Sequence, residues 1–452
     1  MFLNQLPTSS DLALCHQDAK ISYLELHQFI RQKIIQLEFI KPRDVVWIDC
    51  KNNINTIILF FALWQKEACV VPIDSELGQI EKKYLYQEIP PQHVLCENQN
   101  DEFLNNLKTD ATQNNDILDA ALVQLSSGST GLPKIILISP QALVFRAISN
   151  RDHLQISAAD KTLCSVPLSH SHGLDCLTLP TLFAGGTVYL TDPKTSFPYR
   201  ILDWIEKHNI TFFSSLPQMY DFFNQAAAQK KYNLSSMRHA FCGSAALAEN
   251  TAIDFYKNFN LPLKQGYGLA EIGVICVNLK TSEKKYHSIG EPIPGIEWHL
   301  ADDGELCVKS DSLFSGYYKN SQATAERMNG KFLKTEDLIS IDDDGFFYVT
   351  GRKNDVINVM GQKLYPKEIE QFILNFKEIA ESCVTSRSDE KRGQIPVLHL
   401  IAKNRDLNKI NFEKKIISEF SQQFEDFKIP RTFVWHDAFP KSPLGKILKS
   451  KL

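Results

Sequence analysis

The chain has 452 residues, 43% of them apolar and 23% charged, with a formal net charge of −4. This is the composition of a globular protein long enough for two or more domains, and the balance gives neither a basic footprint for nucleic acid nor an acidic tail. The ten cysteines include no C-x-x-C pair, and the opening MFLNQLPTSSDLALC has no signal-peptide pattern, so disulfides and a structural zinc site are not expected and a reducing cytoplasm is.

Along the chain, the longest apolar run, TIILFFALW from Thr56 to Trp64, is far short of the ~20 residues a membrane span requires and reads as a buried helix. From residue 40 to about 300, the short β-branched runs VVWID, CVVPID, KIILIS, TVYL and ITFFSSL alternate with amphipathic stretches such as YRILDWIEKHN. That alternation predicts an α/β body of parallel-type sheets covered by helices, with ligands at loops beyond the carboxyl ends of strands.

One such loop is SSGSTGLPK, residues 126–134, after the strand pattern ALVQL. Small polar residues and glycines turn backbone N–H groups toward an anion and Lys134 adds a point charge, so the stretch reads as a phosphate cradle. It is not a P-loop, because Gly128 and Gly131 are only three apart and Pro133 precedes the lysine. On composition alone a surface turn explains it as well.

Five further segments are unusually polar or glycine-rich. VPLSHSHGLD (166–175) sets His170 and His172 after a strand, QGYGLAE (265–271) puts a permissive turn before Glu271, and KTEDLISIDDDGFFYVTGRKND (334–355) supplies an acid, a turn and an arginine. GQKLYPKEIE (361–370) follows, and PKSPLGKI (440–447) carries Lys446 on a Pro/Gly-rich loop. The two histidines have no third ligand at a metal-site spacing, and DDDG reads as a hairpin turn. After FFYVTGRKND the pattern becomes strand, helix, strand, strand, helix: Ile369, Phe372, Ile373 and Phe376 share one helical face, and Phe412, Ile416, Phe420 and Phe424 recur at intervals of four.

Taken in order, these segments resemble the adenylate-forming superfamily of acyl-CoA synthetases, aryl-CoA ligases, luciferases and peptide-synthetase adenylation domains. The resemblance runs from ISYLEL (21–26) to GKI at the end. It implies a large N-terminal α/β body, residues 1–351, and a small mobile C-terminal α+β domain, residues 352–452, with a hinge at Asn354.

The resemblance also implies roles. Ser126, Ser127, Gly128, Ser129, Thr130, Gly131 and Lys134 would embrace the β- and γ-phosphates of ATP. Tyr267, between Gly266 and Gly268, would stack on adenine, Glu271 and Thr130 would help hold Mg2+, and Asp337 and Arg352 would hold the ribose. Gly243 and Ser244 would wall the pocket, with His170 and Ser171 bordering the acid. Lys446 would bridge the attacking carboxylate and the α-phosphate, a cation relieving the repulsion of two anions. The small domain would then rotate, withdrawing Lys446 and opening a thiol channel.

The expected activity is an ATP-dependent ligase that forms an acyl-adenylate and then a thioester with CoA, the alternative acceptor being a carrier-protein phosphopantetheine. No aspartate stands where amino-acid adenylation domains pair with an α-ammonium, so an aryl or fatty acid without an α-amine is expected. Ile135, Ala270, Glu336 and Asn354 depart from the family pattern, which leaves a non-catalytic adenylate binder as the competing reading. A kinase is set aside for want of its glycine-rich loop and H-R-D segment.

Overall fold

The computed structural model describes residues 1–74, 77–96, 104, 107, 109, 117, 119–126, 133–193, 197–245, 247–280, 285–441 and 447–452, with Ser126 and Ser450 described by their backbone alone. Two large sheets share one apolar core. The helix Ile54–Gln65, capped by the Asn53 side chain, packs against strands of both, and every residue from Thr56 to Trp64 is buried. A helix apolar on all sides is stable only when covered all round, as TIILFFALW predicts.

In the nine-stranded sheet the order is Glu291–Pro292, Gly273–Val277, Leu263–Leu269, His239–Cys242, Phe212–Ser215, Lys161–Cys164, Thr187–Leu190, Leu12–His16, Ala19–Ser22. Its six inner strands are parallel and its edges antiparallel. The six-stranded sheet likewise combines parallel strands Val45–Asp49, Cys69–Ile73, His93–Leu95 and Leu122–Ser126 with the antiparallel pair Leu122–Ser126 and Lys134–Ile138. The expected parallel sheets are therefore mixed. Strands joined by a few residues, as Leu263–Leu269 and Gly273–Val277 are, have too little chain for a crossover and must pair antiparallel.

A third sheet carries the antiparallel strands Phe332–Ile341 and Phe347–Arg352. The turn between them holds DDDG, where Asp342 Oδ1 accepts from the Asp344 and Phe346 amides and Gly345 has φ +84°.

Beyond residue 356 a fourth sheet has its own core, in which Ile357, Leu398, Ile416 and Phe420 meet. Its elements are the hairpin Ile357–Val359 and Gln362–Leu364, the helix Pro366–Leu374, the strands Ile379–Asp389 and Gly393–Ala402, the helix Lys409–Gln423 and a further strand Thr432–Trp435. That last strand, four residues long and parallel to Gly393–Ala402, was absent from the sequence pattern. Phe424 caps the preceding helix rather than extending it, yet still packs on this core. Among the described residues no helix is long and apolar enough to cross a membrane, and no cysteine is in a disulfide.

Candidate active site

Four parallel strands of the nine-stranded sheet run out at one cavity of about 570 Å³. After Lys161–Cys164 the chain turns to one side of the sheet, to Thr187–Leu190, and then to the other, to Phe212–Ser215. Connections that leave neighbouring strands in opposite directions open a crevice at their carboxyl ends. The residues at or just past those ends line the cavity: Val166 and Pro167, Leu216, Gly243 and Ser244, and, from the second half of Leu263–Leu269 onward, Gly266 through Ala270.

On one wall lies the turn of QGYGLAE. A Cβ added at Gly266 would meet nothing within 4 Å, so that backbone lies open to a ligand, whereas one at Gly268 would stand 2.2 Å from the Gly273 carbonyl oxygen and break the returning hairpin. Between them, the Tyr267 hydroxyl donates to Asp337 Oδ2 at 2.7 Å. Burial first and the Asp337 carboxylate second push that hydroxyl well above the usual phenol range, so it remains a donor. Arg352 Nε donates to the other Asp337 oxygen at 2.9 Å. The third sheet supplies this pair directly, since Asp337 and Arg352 stand opposite each other in its register.

A second cluster brackets the phosphate-cradle segment. Ser126 and Lys134 are paired across antiparallel strands, and Lys134 Nζ lies 4.8 Å from the centre of the Tyr317 ring. Tyr317 in turn donates its hydroxyl to Glu271 Oε1 at 2.7 Å. Glu336 stands where the family pattern has glycine, and its φ of +61° is the conformation glycine favours. Its carboxylate lies 2.6 Å from Nη1 of the buried Arg327.

The remaining wall is mostly apolar, with Leu154, Leu177, Phe212, Leu216, Phe241 and Val274. Two histidines interrupt it. His172 Nε2 and Ser214 Oγ are 2.7 Å apart, and burial, with His170 as a neighbour, holds the His172 imidazole down at about 4. Burial also lowers His170, against the pull of Asp74 at 3.7 Å. Both rings are thus biased toward the neutral form. Burial pushes the Cys176 thiol on the same wall up to about 12, which leaves it protonated.

Behind this wall the chain makes a π-helical turn, Leu174–Thr178, a device that recurs at functional sites because it redirects side chains. It carries Asp175 into a buried network. The Asp175 carboxylate takes Arg146 Nη1 at 3.1 Å, Gln124 Nε2 at 3.0 Å and Ser171 Oγ at 2.8 Å.

Thus His170, Ser171, Gly243, Ser244, Gly266, Tyr267 and Gly268 meet at one cavity, Asp337 and Arg352 join them through Tyr267, and Lys134 and Glu271 meet through Tyr317. Asn354 lies apart, in the short helical turn Lys353–Asp355. Ser127, Gly128, Ser129, Thr130, Gly131 and Lys446, with the Ser126 side chain, lie outside the described residues. Sequence reasoning missed Gln124, Asn150, Phe212, Ser214 and Leu216 on the cavity wall and Tyr317 beside Glu271. The wall residues were hidden inside ordinary strand and helix patterns, while Tyr317 is 46 residues from its partner and follows no motif.

The residues present suit a nucleotide: an open glycine backbone, a neighbouring aromatic ring and a carboxylate with unused lone pairs. Among the described residues no three His, Cys, Asp or Glu side chains gather as a metal cage. The single carboxylate of Glu271 is compatible with Mg2+ that keeps substrate phosphates and water as its other ligands.

Comparison with known proteins places these residues in context. A family model described as AMP-binding enzyme matches residues 5–318, and one described as AMP-binding enzyme C-terminal domain matches residues 368–446. The chain is 29% identical over 351 residues to 4-coumarate–CoA ligase-like 2 of Arabidopsis thaliana, an alignment that takes in 74% of this chain but only 61% of that relative's length. It is 25% identical over 462 residues to 2-succinylbenzoate–CoA ligase of Listeria innocua, covering 98% of this chain and 96% of the relative. Among solved structures, ATP-bound MatB from Rhodopseudomonas palustris superposes with a TM-score of 0.88 at 22% identity, over 100% of this chain and 98% of that one. The o-succinylbenzoate CoA synthetase MenE from Bacillus subtilis, in complex with its acyl-adenylate intermediate, gives 0.85 at 21%, over 99% and 96%. At such identity these two likenesses establish the fold.

Proposed function

The chain belongs to the AMP-binding enzyme family, and from that premise we propose that it activates a carboxylic acid with ATP as an acyl-adenylate, releases pyrophosphate, and passes the acyl group to the thiol of CoA. The observation that carries this reading is the continuity of one cavity from the Gly266–Tyr267–Gly268 turn to the apolar wall at Phe212 and Leu216. A nucleotide at the first and an acid at the second would bring carboxylate and α-phosphate together, converting a bimolecular attack into a local one.

In this reading Tyr267 stacks on the adenine while its hydroxyl holds Asp337, which accepts from the ribose hydroxyls with the oxygen lone pairs that Tyr267 and Arg352 leave free. Lys134 and the backbone of the cradle segment hold the β- and γ-phosphates. Glu271 would ligate Mg2+, which supplies charge neutralisation on the phosphates. The neutral His170 and His172 border the acid without adding a charge that would hold an apolar acid in the wrong register. Lys446 neutralises the two anions as they approach.

The wall composition supports an acid with an apolar body, and the volume is that of a drug-sized ligand site. The names of the relatives, which include 4-coumarate, 2-succinylbenzoate and indoleacetate CoA ligases, point to aromatic acids.

Two ion-pair anchors flank the proposed hinge between a body of residues 1–351 and a small domain of residues 352–452. Lys353 is tied to Asp303 at 2.6 Å and Glu305 at 2.9 Å, whereas Asp355 is tied to Lys449 at 3.0 Å, which also reaches Glu370 at 3.3 Å. A rotation confined between those anchors falls on Asn354.

The test is pyrophosphate release over a panel of aryl, short-chain and long-chain acids, with and without CoA. Release that follows one acid class, rises with CoA and drops about 100-fold or more in Lys446→Ala is expected, the scale of losing one transition-state charge contact. Adenylate that forms but that CoA does not discharge would indicate a carrier-protein thiol instead. A folded protein that releases no pyrophosphate with any acid would return the chain to a non-catalytic adenylate binder.

A further inference from the structure

Near Glu271 lies a buried cation to which the mechanism above gives no role. Arg327 closes the helix Ser321–Arg327, and its side chain is 9% exposed. One turn earlier on the same helical face, Thr324 Oγ1 accepts from the Tyr317 amide at 2.9 Å, so the helix sets Arg327 against the residue whose hydroxyl donates to Glu271. The charges of Glu271 and Glu336 both act on the guanidinium. Glu336 holds it, with Oε2 2.6 Å from Nη1, but the contact is a charge pair and not an aligned hydrogen bond. Among the described residues Nη1 and Nε have no directed acceptor, and Nη2 reaches the Thr335 carbonyl only at 3.4 Å. A buried guanidinium with unspent donors takes a second carboxylate when the first is removed, because leaving it unpaired costs more.

Glu336 reaches this position against its own backbone preference. Its φ of +61° is strained for a residue with a Cβ, and Glu305 Oε1 pins the amide there at 2.9 Å. The side chain is 35% exposed, so packing alone does not call for it. We propose that Glu336 is a positioning residue for the metal carboxylate: by holding Arg327 it keeps the guanidinium from pairing with Glu271, which retains its charge and lone pairs for Mg2+. Without Glu336, Arg327 and Glu271 would neutralise each other beside the phosphate cradle. With it, the two carboxylates outweigh the guanidinium, and the net negative charge attracts a divalent cation. The inference rests on the reading of Glu271 as a Mg2+ ligand, and it gives the departure from glycine at residue 336 a function.

The experiment measures ATP affinity by calorimetry with and without Mg2+, and the Mg2+ concentration for half-maximal pyrophosphate release, in wild type, Glu336→Gln, Arg327→Met and the double variant. In Glu336→Gln the gain in ATP affinity from Mg2+ shrinks about tenfold and the Mg2+ requirement rises by a like factor, the scale of one charged hydrogen bond competing for the same carboxylate. The double variant returns both to wild-type values, because the competitor is gone. A purely structural pair would instead lower the urea midpoint of Glu336→Gln and leave its Mg2+ dependence unchanged. That result in folded protein overturns the inference, as does a double variant as impaired as the single. If Glu336→Gln does not fold, Glu336→Gly, whose backbone suits φ +61°, takes its place. If neither folds, Arg327→Met decides: a raised Mg2+ requirement overturns the inference and an unraised one supports it. Wild-type ATP binding indifferent to Mg2+ removes the metal role of Glu271 and this inference with it. A wild type that releases no pyrophosphate refutes the ligase reading instead, and the calorimetry then decides this inference.

Discussion

Replacing Asp337 by alanine separates a structural role from a nucleotide-binding one. The carboxylate is 3% exposed and accepts from Tyr267 at 2.7 Å and Arg352 at 2.9 Å. A hydrogen bond to a charged group contributes about 1.5–3 kcal/mol, and the enclosed Tyr267 bond takes that range. Arg352 is 40% exposed, so water screens its half to roughly 1 kcal/mol or less. Releasing a carboxylate from burial offsets part of the loss, which leaves a net destabilisation of about 1–3 kcal/mol. Two ribose hydroxyls donating to the same carboxylate would add about 3 kcal/mol, and at 1.4 kcal/mol per tenfold that is on the order of 100-fold in affinity. Urea unfolding measures the first quantity. Calorimetric affinities for ATP, 2′-deoxyATP and 3′-deoxyATP measure the second, with Asp337→Asn as the isosteric control. Wild type is expected to bind each deoxynucleotide about tenfold more weakly than ATP, and Asp337→Ala to bind all three with similar weak affinity. A folded Asp337→Ala protein that still separates ATP from 3′-deoxyATP would refute the ribose assignment.

Tyr317→Phe removes the hydroxyl that donates to Glu271, a carboxylate 6% exposed. A stability loss of about 1–3 kcal/mol in urea unfolding is expected, together with a raised Mg2+ requirement in pyrophosphate release; an unchanged Mg2+ titration would separate Glu271 from metal binding. The acid limb of stability is a second expectation. Burial and His170 hold His172 at about 4, whereas the unfolded chain protonates near pH 6.5. The unfolded state therefore binds the extra proton first, so stability is complete above about pH 6.5 and declines as the pH falls toward 4. His239, held at about 4 by burial and Lys264, acts in the same direction. Urea midpoints from pH 7.5 to 4.5 are expected to fall less steeply in His172→Gln than in wild type, and parallel curves would count against the buried neutral imidazole.

Much of the site was legible because its residues sit in local patterns. SSGSTGLPK, QGYGLAE and the acid and arginine flanking DDDG are short segments whose turn glycines and charges announce chemistry before any packing is known. The alternation of β-branched and amphipathic runs fixed the α/β class, and TIILFFALW, too short to span a membrane, could only be a buried helix. Pairings across the chain were not legible. Asp337 faces Arg352 because a hairpin register sets them opposite, and Tyr317 reaches Glu271 because its strand pairs with Lys134–Ile138. Gln124 looked like one polar residue in a strand until tertiary packing placed Asp175 and Arg146 behind it. A sequence specifies which groups are available, since composition and period are local properties. Which of those groups meet around one carboxylate or at one cavity wall depends on elements brought together from distant parts of the chain, and only the tertiary structure decides that.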